Sequence, residues 1–329
     1  MEMEFADKIF KFAKTDFSQC AIELFNFQYR NNPIYKSYTD SLHVSPTNVI
    51  SIDRIPFLPI SFFKTHAVQT TSYRPGLIFE SSGTTQTISS KHYVKDPSLY
   101  EKNFMKGFEE FYGSPTDWCI IGLLPSYLER ENSSLVMMVD RLVKKTGNPQ
   151  SGFYLYEFEE LFHVLTSLEE QGQKTLLIGV TFALLDFAEK FPMKLNHTIV
   201  METGGMKGRR QEMTRGELHE RLRKGFGISQ VHSEYGMTEL LSQAYSKKDG
   251  IFKSVPWMKI LVRDDDDPFV VRETGEGIIN IIDLGNIYSC CFIATDDIGN
   301  ILKDGSFEVL GRTDNSDIRG CSLLTVTAQ

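Results

Sequence analysis

The chain has 329 residues, 41% of them hydrophobic and 24% charged, which is ordinary for a soluble globular protein and enough to bury a large core or two smaller ones. Lysine and arginine number 35 against 43 aspartate and glutamate, a formal net charge of −8, and no basic run is long enough to follow a phosphate backbone, so nucleic acid is excluded as an expected partner. The first residues, Met-Glu-Met-Glu, carry acids where a signal peptide needs bases, and no apolar run approaches the roughly 18 residues of a membrane span; a cytoplasmic protein with no membrane span is expected, its 5 cysteines read as free thiols.

Helical spacing begins at Asp16, with Gln19 three residues on. Phe17, Cys20, Ala21, Leu24 and Phe27 form one apolar stripe that stops at Asn31-Asn32-Pro33. Ile55-Pro56-Phe57-Leu58-Pro59-Ile60 holds too much proline for a helix and predicts an extended strap over the core. A short strand, 77–79, then runs into Ser81-Ser82-Gly83-Thr84-Thr85-Gln86-Thr87. Hydroxyls and backbone N–H groups surround Gly83 there as a polyphosphate would require, although a flexible polar surface loop fits the same residues. No Gly-Lys-Ser/Thr follows at the required spacing, so the Walker pattern does not fit and a P-loop NTPase is disfavoured.

Helices are predicted at 96–113, 133–147, 157–170 and up to 191, and another opens on the box Thr214-x-x-Glu217. They alternate with strands at 118–124, 153–155, 175–180, 197–202 and 229–232, which predicts βαβ units and a mostly parallel sheet with its ligands beyond the carboxyl ends of the strands. Gly204-Gly205 follows one such strand, either to let the backbone approach a flat ligand or simply to turn the chain. Ser233-Glu234-Tyr235-Gly236-Met237-Thr238-Glu239 follows another. Tyr235 can stack a base, Thr238 can donate to a phosphate and Glu239 can hold Mg²⁺; the alternative is a helix start with Thr238 as its cap.

From 251 the pattern changes to short strands at 258–262, 277–282, 290–294 and 307–310. Asp264-Asp265-Asp266-Asp267 reads as a solvated turn, because four adjacent carboxylates cannot all face one ion, and Gly275-x-Gly277 reads as a turn as well. Cys290 and Cys291 read as core within the strand at 290–294. Asp297 followed by Arg312 suits ribose hydroxyls, while the Asp-Gly pairs near them equally make hairpins.

Together these segments resemble the adenylate-forming superfamily of acyl-CoA ligases and firefly luciferase. Ser81-Ser82-Gly83-Thr84-Thr85 looks like its phosphate loop, Tyr235-Gly236-Met237-Thr238-Glu239 like its Tyr-Gly-x-Thr-Glu motif, and Asp297 with Arg312 like its ribose-binding aspartate and Gly-Arg motif. Within that superfamily four segments are similar to acyl-protein synthetases of the LuxE type, relatives of phenylacetate-CoA ligases. They are Ile55-Pro56-Phe57-Leu58-Pro59, Leu124-Pro125-Ser126-Tyr127-Leu128-Glu129-Arg130, His232-Ser233-Glu234-Tyr235 and Asp317-Ile318-Arg319-Gly320-Cys321.

The resemblance implies an α/β fold of two βαβ-type subdomains plus a small β-rich region, equivalent to the N-terminal part of an adenylate-forming enzyme. It divides the chain into helices and strap (1–76), a nucleotide- and acyl-binding core (77–250), a β-rich region with the ribose motif and hinge (251–320) and a tail (321–329). It implies ATP and Mg²⁺ as cofactors and a fatty or other carboxylic acid as substrate. The acid is activated as acyl-AMP, moved to Cys321 as a thioester, and delivered to an acceptor protein such as a fatty-acid reductase. Ser81, Ser82, Gly83, Thr84 and Thr85 then serve the β- and γ-phosphates, Thr238 the α-phosphate and Glu239 the metal. Tyr235, Gly236, Gly204 and Gly205 serve the adenine, and Asp297 with Arg312 the ribose. The family's loop has a glycine where Gln86 stands and a lysine earlier than Lys91, and the chain is expected to lack the family's C-terminal lid. Two other expectations stay open: a nucleotide- or acyl-AMP-binding protein without turnover, and an acyltransferase that never uses ATP.

Overall fold

The structure, a computed structural model, describes residues 9–11, 16–81, 88–124, 132–154, 157–204 and 213–313. In chain order come α1 (Phe17–Asn31), α2 (Pro33–Ser41), β1 (Leu58–Pro59), the short α3 (Phe62–Thr65) and the pair β2 (Leu77–Glu80) and β3 (Lys91–Val94). Next are α4 (Pro97–Tyr112), β4 (Cys119–Leu123), α5 (Ser134–Thr146), β5 (Gly152–Phe153), α6 (Phe158–Glu170), β6 (Thr175–Gly179), α7 (Thr181–Lys190), β7 (Thr198–Glu202), α8 (Arg215–Phe226) and β8 (His232–Tyr235). Strands complete the described chain: β9 (Ala244–Ser246), β10 (Ile251–Ser254), β11 (Met258–Arg263), β12 (Val271–Arg272), β13 (Gly275–Asp283), β14 (Phe292–Ile301) and β15 (Phe307–Arg312). The fold class is mixed α/β. Its residues fall into two compact units: one holds those up to Phe104, Met237–Gln243 and those from Lys253, and the other holds those of Met105–Gly236 and Ala244–Phe252.

The second of these units is built on a parallel sheet in the order β5-β4-β6-β7-β8, with β9 antiparallel to β8. β4 and β6 are buried at every position, as strands covered on both faces must be, and their sequences Cys-Ile-Ile-Gly-Leu and Thr-Leu-Leu-Ile-Gly are near-continuous apolar runs. The helices between them carry their own end signals. Ser133 caps α5 and a Thr214–Glu217 capping box opens α8, while Gly147 and Gly227 end these two helices in the left-handed conformation. The strand expected at 229–232 is instead His232–Tyr235, because pairing with Met201 and Glu202 of β7 begins only at His232.

In the other unit an antiparallel sheet runs β12-β11-β13-β14-β15, and the strap adds β1 in parallel beside β14, pairing Leu58 with Ile293 and Pro59 with Ala294. A cluster of rings forms around Phe292, which meets Phe25, Tyr35 and Phe57 at 5.9 to 6.4 Å between centroids. Pro33, expected to end the helical stretch, opens a second helix instead: Asn32 accepts from Tyr35 N–H, and proline suits the first helical position because its missing N–H would have no partner there. Gly275 and Gly277, expected in a turn, begin β13. A Cβ on Gly277 would stand 2.4 Å from the Arg263 carbonyl oxygen, so close strand approach explains that glycine. Cys290 and Cys291 are fully buried, but lie just before β14 and not within it. The acidic run does form a turn, in which Asp264 and Asp267 accept from the backbone N–H two residues on.

Candidate functional site

Ser81 and Ser90 close the base of the Ser/Thr loop. Ser81 N–H donates to the Ser90 carbonyl at 3.0 Å, and Ser90 N–H donates to Ser81 Oγ at 2.9 Å. Below them β2 and β3 pair, with Glu80 opposite Lys91 and Phe79 opposite His92. Ser82, Gly83, Thr84 and Thr85 lie outside the described residues, as do Gly205 and Cys321.

Thr238 and Glu239 occupy a turn after β8, so the alternative of a helix capped by Thr238 does not hold. The turn is held from both sides within one unit. His92, buried on β3, donates from Nδ1 to the Thr238 carbonyl at 2.8 Å, since a carbonyl can only accept. Its Nε2 is 3.0 Å from Asn286 Oδ1, and Asn286 Nδ2 donates to the Glu239 carbonyl at 2.8 Å. Burial lowers the His92 pKa, against the pull of these partners and of the Glu239 charge. Downstream, buried Asp283 accepts from Leu241 N–H, Ser242 N–H, Ser242 Oγ–H and Gly285 N–H at 2.6 to 3.0 Å. Glu239 itself is buried.

Asp297 and Arg312 are brought together as the sequence requires. They face each other across the β14–β15 ladder, and Arg312 Nε donates to Asp297 Oδ1 at 2.8 Å with both side chains almost fully buried. Asp297 N–H donates to Thr295 Oγ1 at 3.1 Å. The hairpin reading of the Asp304-Gly305 pair holds as well: that turn links the far ends of the two strands, with Gly305 at φ +80°, and the ladder between them carries the register back to Asp297 and Arg312.

The remaining residues belong to the parallel-sheet unit. Gly204, at φ +83°, follows β7 and donates its N–H to Glu202 Oε2 at 2.7 Å. Glu202 is buried with Arg215 Nε and His219 Nε2 each 3.7 Å from Oε1, and His219 reaches Ser233 Oγ at 3.4 Å. Burial pushes the Glu202 carboxyl up, but His219 and Arg215 outweigh it and the group sits below its ordinary range. Neighbouring Glu234 has no such support: burial first, and then the Glu202 carboxylate, raise it to about 8. The two carboxyls, on adjacent strands, are thus shifted in opposite directions. His232, lowered to about 4 by burial and the Lys247 charge, meets the Tyr112 hydroxyl at 3.1 Å. Tyr235 is buried at the end of β8, its ring 5.9 Å from that of Phe252, over which the Arg215 guanidinium lies at 5.1 Å. Gly236 follows it, partly exposed.

Sequence reasoning missed His92, Asp283, Asn286 and Glu202. None stands in a recognisable spacing, and the partners of His92 are 146 and 194 residues away in the chain. Among the described residues no group of three or more His, Cys, Asp or Glu could hold a metal ion. A single buried carboxylate such as Glu239 still fits Mg²⁺, which draws most of its ligands from phosphate oxygens and water. No helix among the described residues is long and apolar enough to cross a membrane.

The family model for acyl-protein synthetase, LuxE, matches residues 14–328. No curated protein matches. Among solved structures the chain is similar to ATP-bound MatB from Rhodopseudomonas palustris, at 15% identity and a TM-score of 0.55 over 73% of this chain and 49% of that one. It is similar also to 2-hydroxyisobutyryl-CoA ligase in its postadenylation state, at 11% identity and 0.66 over 92% and 68%. A third likeness is to O-succinylbenzoate coenzyme A synthetase, MenE, from Bacillus subtilis with ATP and magnesium ion, at 18% and 0.50 over 71% and 49%. At these identities the likeness is one of fold, and the chain spans about half the length of MatB and MenE.

Proposed function

The chain belongs to the LuxE acyl-protein synthetase family, and from that premise we propose that it activates a carboxylic acid, a fatty acid by preference, as acyl-AMP and passes the acyl group to a thiol for delivery to an acceptor protein. The observation that most supports this reading is the Asp297–Arg312 pair, 15 residues apart in sequence and 2.8 Å apart in space, at the positions where the ribose motif stands.

In this reading a carboxylate oxygen of the acid attacks the α-phosphorus of ATP and pyrophosphate leaves in line, so the protein's task is to align two anions and neutralise their charge. Ser81, Ser82, Gly83, Thr84 and Thr85 take the β- and γ-phosphates, and Thr238 donates to the α-phosphate. Tyr235, Gly236, Gly204 and Gly205 border the adenine, and Asp297 accepts from the ribose with Arg312 beside it. Mg²⁺, held through Glu239, offsets charge on the phosphate oxygens. The Cys321 thiolate then attacks the acyl carbonyl, AMP departs with the bonding electron pair, and the acyl group is left as a thioester.

Intact-protein mass after incubation with ATP, Mg²⁺ and a panel of fatty and aromatic acids tests the whole sequence beside Cys321→Ser. An ATP-dependent acyl adduct on the wild type and none on the variant is expected. In Asp297→Ala, exchange of labelled pyrophosphate into ATP should fall by about 100-fold, the loss of a hydrogen bond to a charged partner together with its buried pairing. Acylation from a preactivated donor without ATP would replace this reading with an acyltransferase. Nucleotide binding with neither adduct nor exchange would replace it with a binding protein.

A further inference from the structure

His92 leads β3 away from the Ser81–Ser90 loop base, yet its ring ends at the other nucleotide motif of the same unit. Both ring nitrogens face acceptors, Nδ1 the Thr238 carbonyl and Nε2 Asn286 Oδ1, so the neutral ring donates to the first and packs against the second while the imidazolium donates to both; Asn286 Nδ2 holds the Glu239 carbonyl. The backbone of two consecutive residues is thus bracketed by one imidazole and one amide. The Phe63 ring meets the imidazole edge-on at 5.8 Å, and the histidine is almost completely buried, so its plane has little freedom. Asp283, at the end of β13, fixes the chain just downstream through Leu241 and Ser242, so the Thr238–Glu239 turn is held by β3 on one side and by the segment at the end of β13 on the other.

We propose that His92 is the positioning residue of the Thr238–Glu239 turn: it ties the strand leaving the phosphate-loop base to the turn that presents a hydroxyl and a carboxylate, and so sets where those two groups stand. The proposal rests on the nucleotide-site reading given above. His92 touches neither phosphate nor metal; it acts through the two carbonyls, directly and through Asn286. Loosening the bracket lets the turn adopt geometries in which Glu239 serves Mg²⁺ poorly, while recognition of the carboxylic acid is untouched. The signature is a raised Mg²⁺ requirement at constant KM for the acid.

Two substitutions divide the bracket. His92→Asn keeps a donor where Nδ1 stands and loses Asn286; His92→Gln reaches towards Asn286 and loses Thr238. Pyrophosphate exchange against Mg²⁺ concentration should show the half-saturating Mg²⁺ rising about tenfold in His92→Gln and about threefold or less in His92→Asn, as one hydrogen bond lost or kept at the turn requires, with the KM for the acid unchanged in both. Hydrogen exchange of the backbone amides of 236–243, measured without nucleotide, should quicken about tenfold in His92→Gln and less in His92→Asn, with β4 unaffected as the check on folding. Equal amide protection and equal Mg²⁺ requirement in all three proteins overturn the proposal, as does a KM for the acid that rises in step with the Mg²⁺ requirement. If the wild type shows no exchange with any acid, the adenylation reading falls, and the amide rates alone decide the role of His92: its support is the ordered loss, its refutation equal rates.

Discussion

Glu202 and Glu234 lie on adjacent strands and burial raises both carboxyls, yet Glu202 ends below its ordinary range because Arg215 and His219 stand beside it. The two therefore pull stability in opposite directions with pH. Glu234 keeps its proton in the folded chain up to about 8, whereas the unfolded chain releases it near the ordinary value of 4.5, so its contribution is complete below 4.5 and is lost as pH rises through about 8. Glu202, depressed on folding, contributes above the ordinary carboxylate range and loses that contribution as pH falls. His232 acts in the same sense as Glu202: folded it protonates only near 4 and unfolded near 6.5, so its contribution is complete above 6.5 and is lost as pH falls through about 4. Glu234→Gln replaces the protonated carboxyl by a neutral amide. Thermal melting should show a higher Tm than wild type at pH 8 and no gain at pH 4.5; a gain of equal size at both would mean that Glu234 is ionised throughout.

At the scale of elements, helix α8 contains two glycines that the sequence cannot tell apart. A Cβ on Gly225 would stand 2.8 Å from the Ala188 Cβ and 3.2 Å from its carbonyl oxygen, on α7, whereas a Cβ on Gly216 meets only Thr214 Oγ1, at 3.9 Å. Replacing a helical glycine by alanine gains up to about 1 kcal/mol, and forcing a methyl into a packed contact costs about 1–3 kcal/mol. Gly225→Ala is thus expected to destabilise by about 1–2 kcal/mol and Gly216→Ala to stabilise by about 0.5 kcal/mol, read from urea midpoints at constant m.

The same distinction explains what the sequence reveals. The helices from 97 to 226 are legible because spacing, caps and terminal glycines are local, and the boundaries observed for α5 and α6 and the start of α8 fall within a residue or so of those expected. Pro33 misleads because a proline that stops one helix also suits the start of the next. β8 is displaced because its start is fixed by pairing with β7 and not by its own residues. Of the candidate site, Asp297 and Arg312 are legible as chemistry apt for ribose, and the ladder pairs them. His92, Asp283 and Asn286 are silent, since a histidine in a strand and an Asp-x-x-Asn turn acquire meaning only from partners that folding supplies.

At the scale of the whole molecule, the four described cysteines divide by burial more sharply than sequence allows. Cys20 is partly exposed, while Cys119, Cys290 and Cys291 are buried; burial raises all three thiols, Cys290 to about 12. A thiol reagent at pH 8 should therefore modify Cys20 before Cys119, Cys290 and Cys291, and peptide mapping should find Cys290 and Cys291 modified only at the rate of global unfolding. Modification of that pair at the rate of Cys20 would contradict the packing around Gln28, whose side chain bonds Cys291 N–H and the carbonyls of Asn286 and Ile287.

That packing joins the two ends of the chain. Gln28 and Cys291 are 263 residues apart, Thr70 and Ser289 are 219 apart, and the strap finds its strand partner only in β14. While the chain is being made, then, α1, α2 and the strap emerge well before the residues that cover them. Phe25, Tyr35 and Phe57 lack the ring they enclose, Phe292, until that later segment is made. The parallel-sheet unit, whose strands follow one another closely and lie between these segments in sequence, can fold in the meantime.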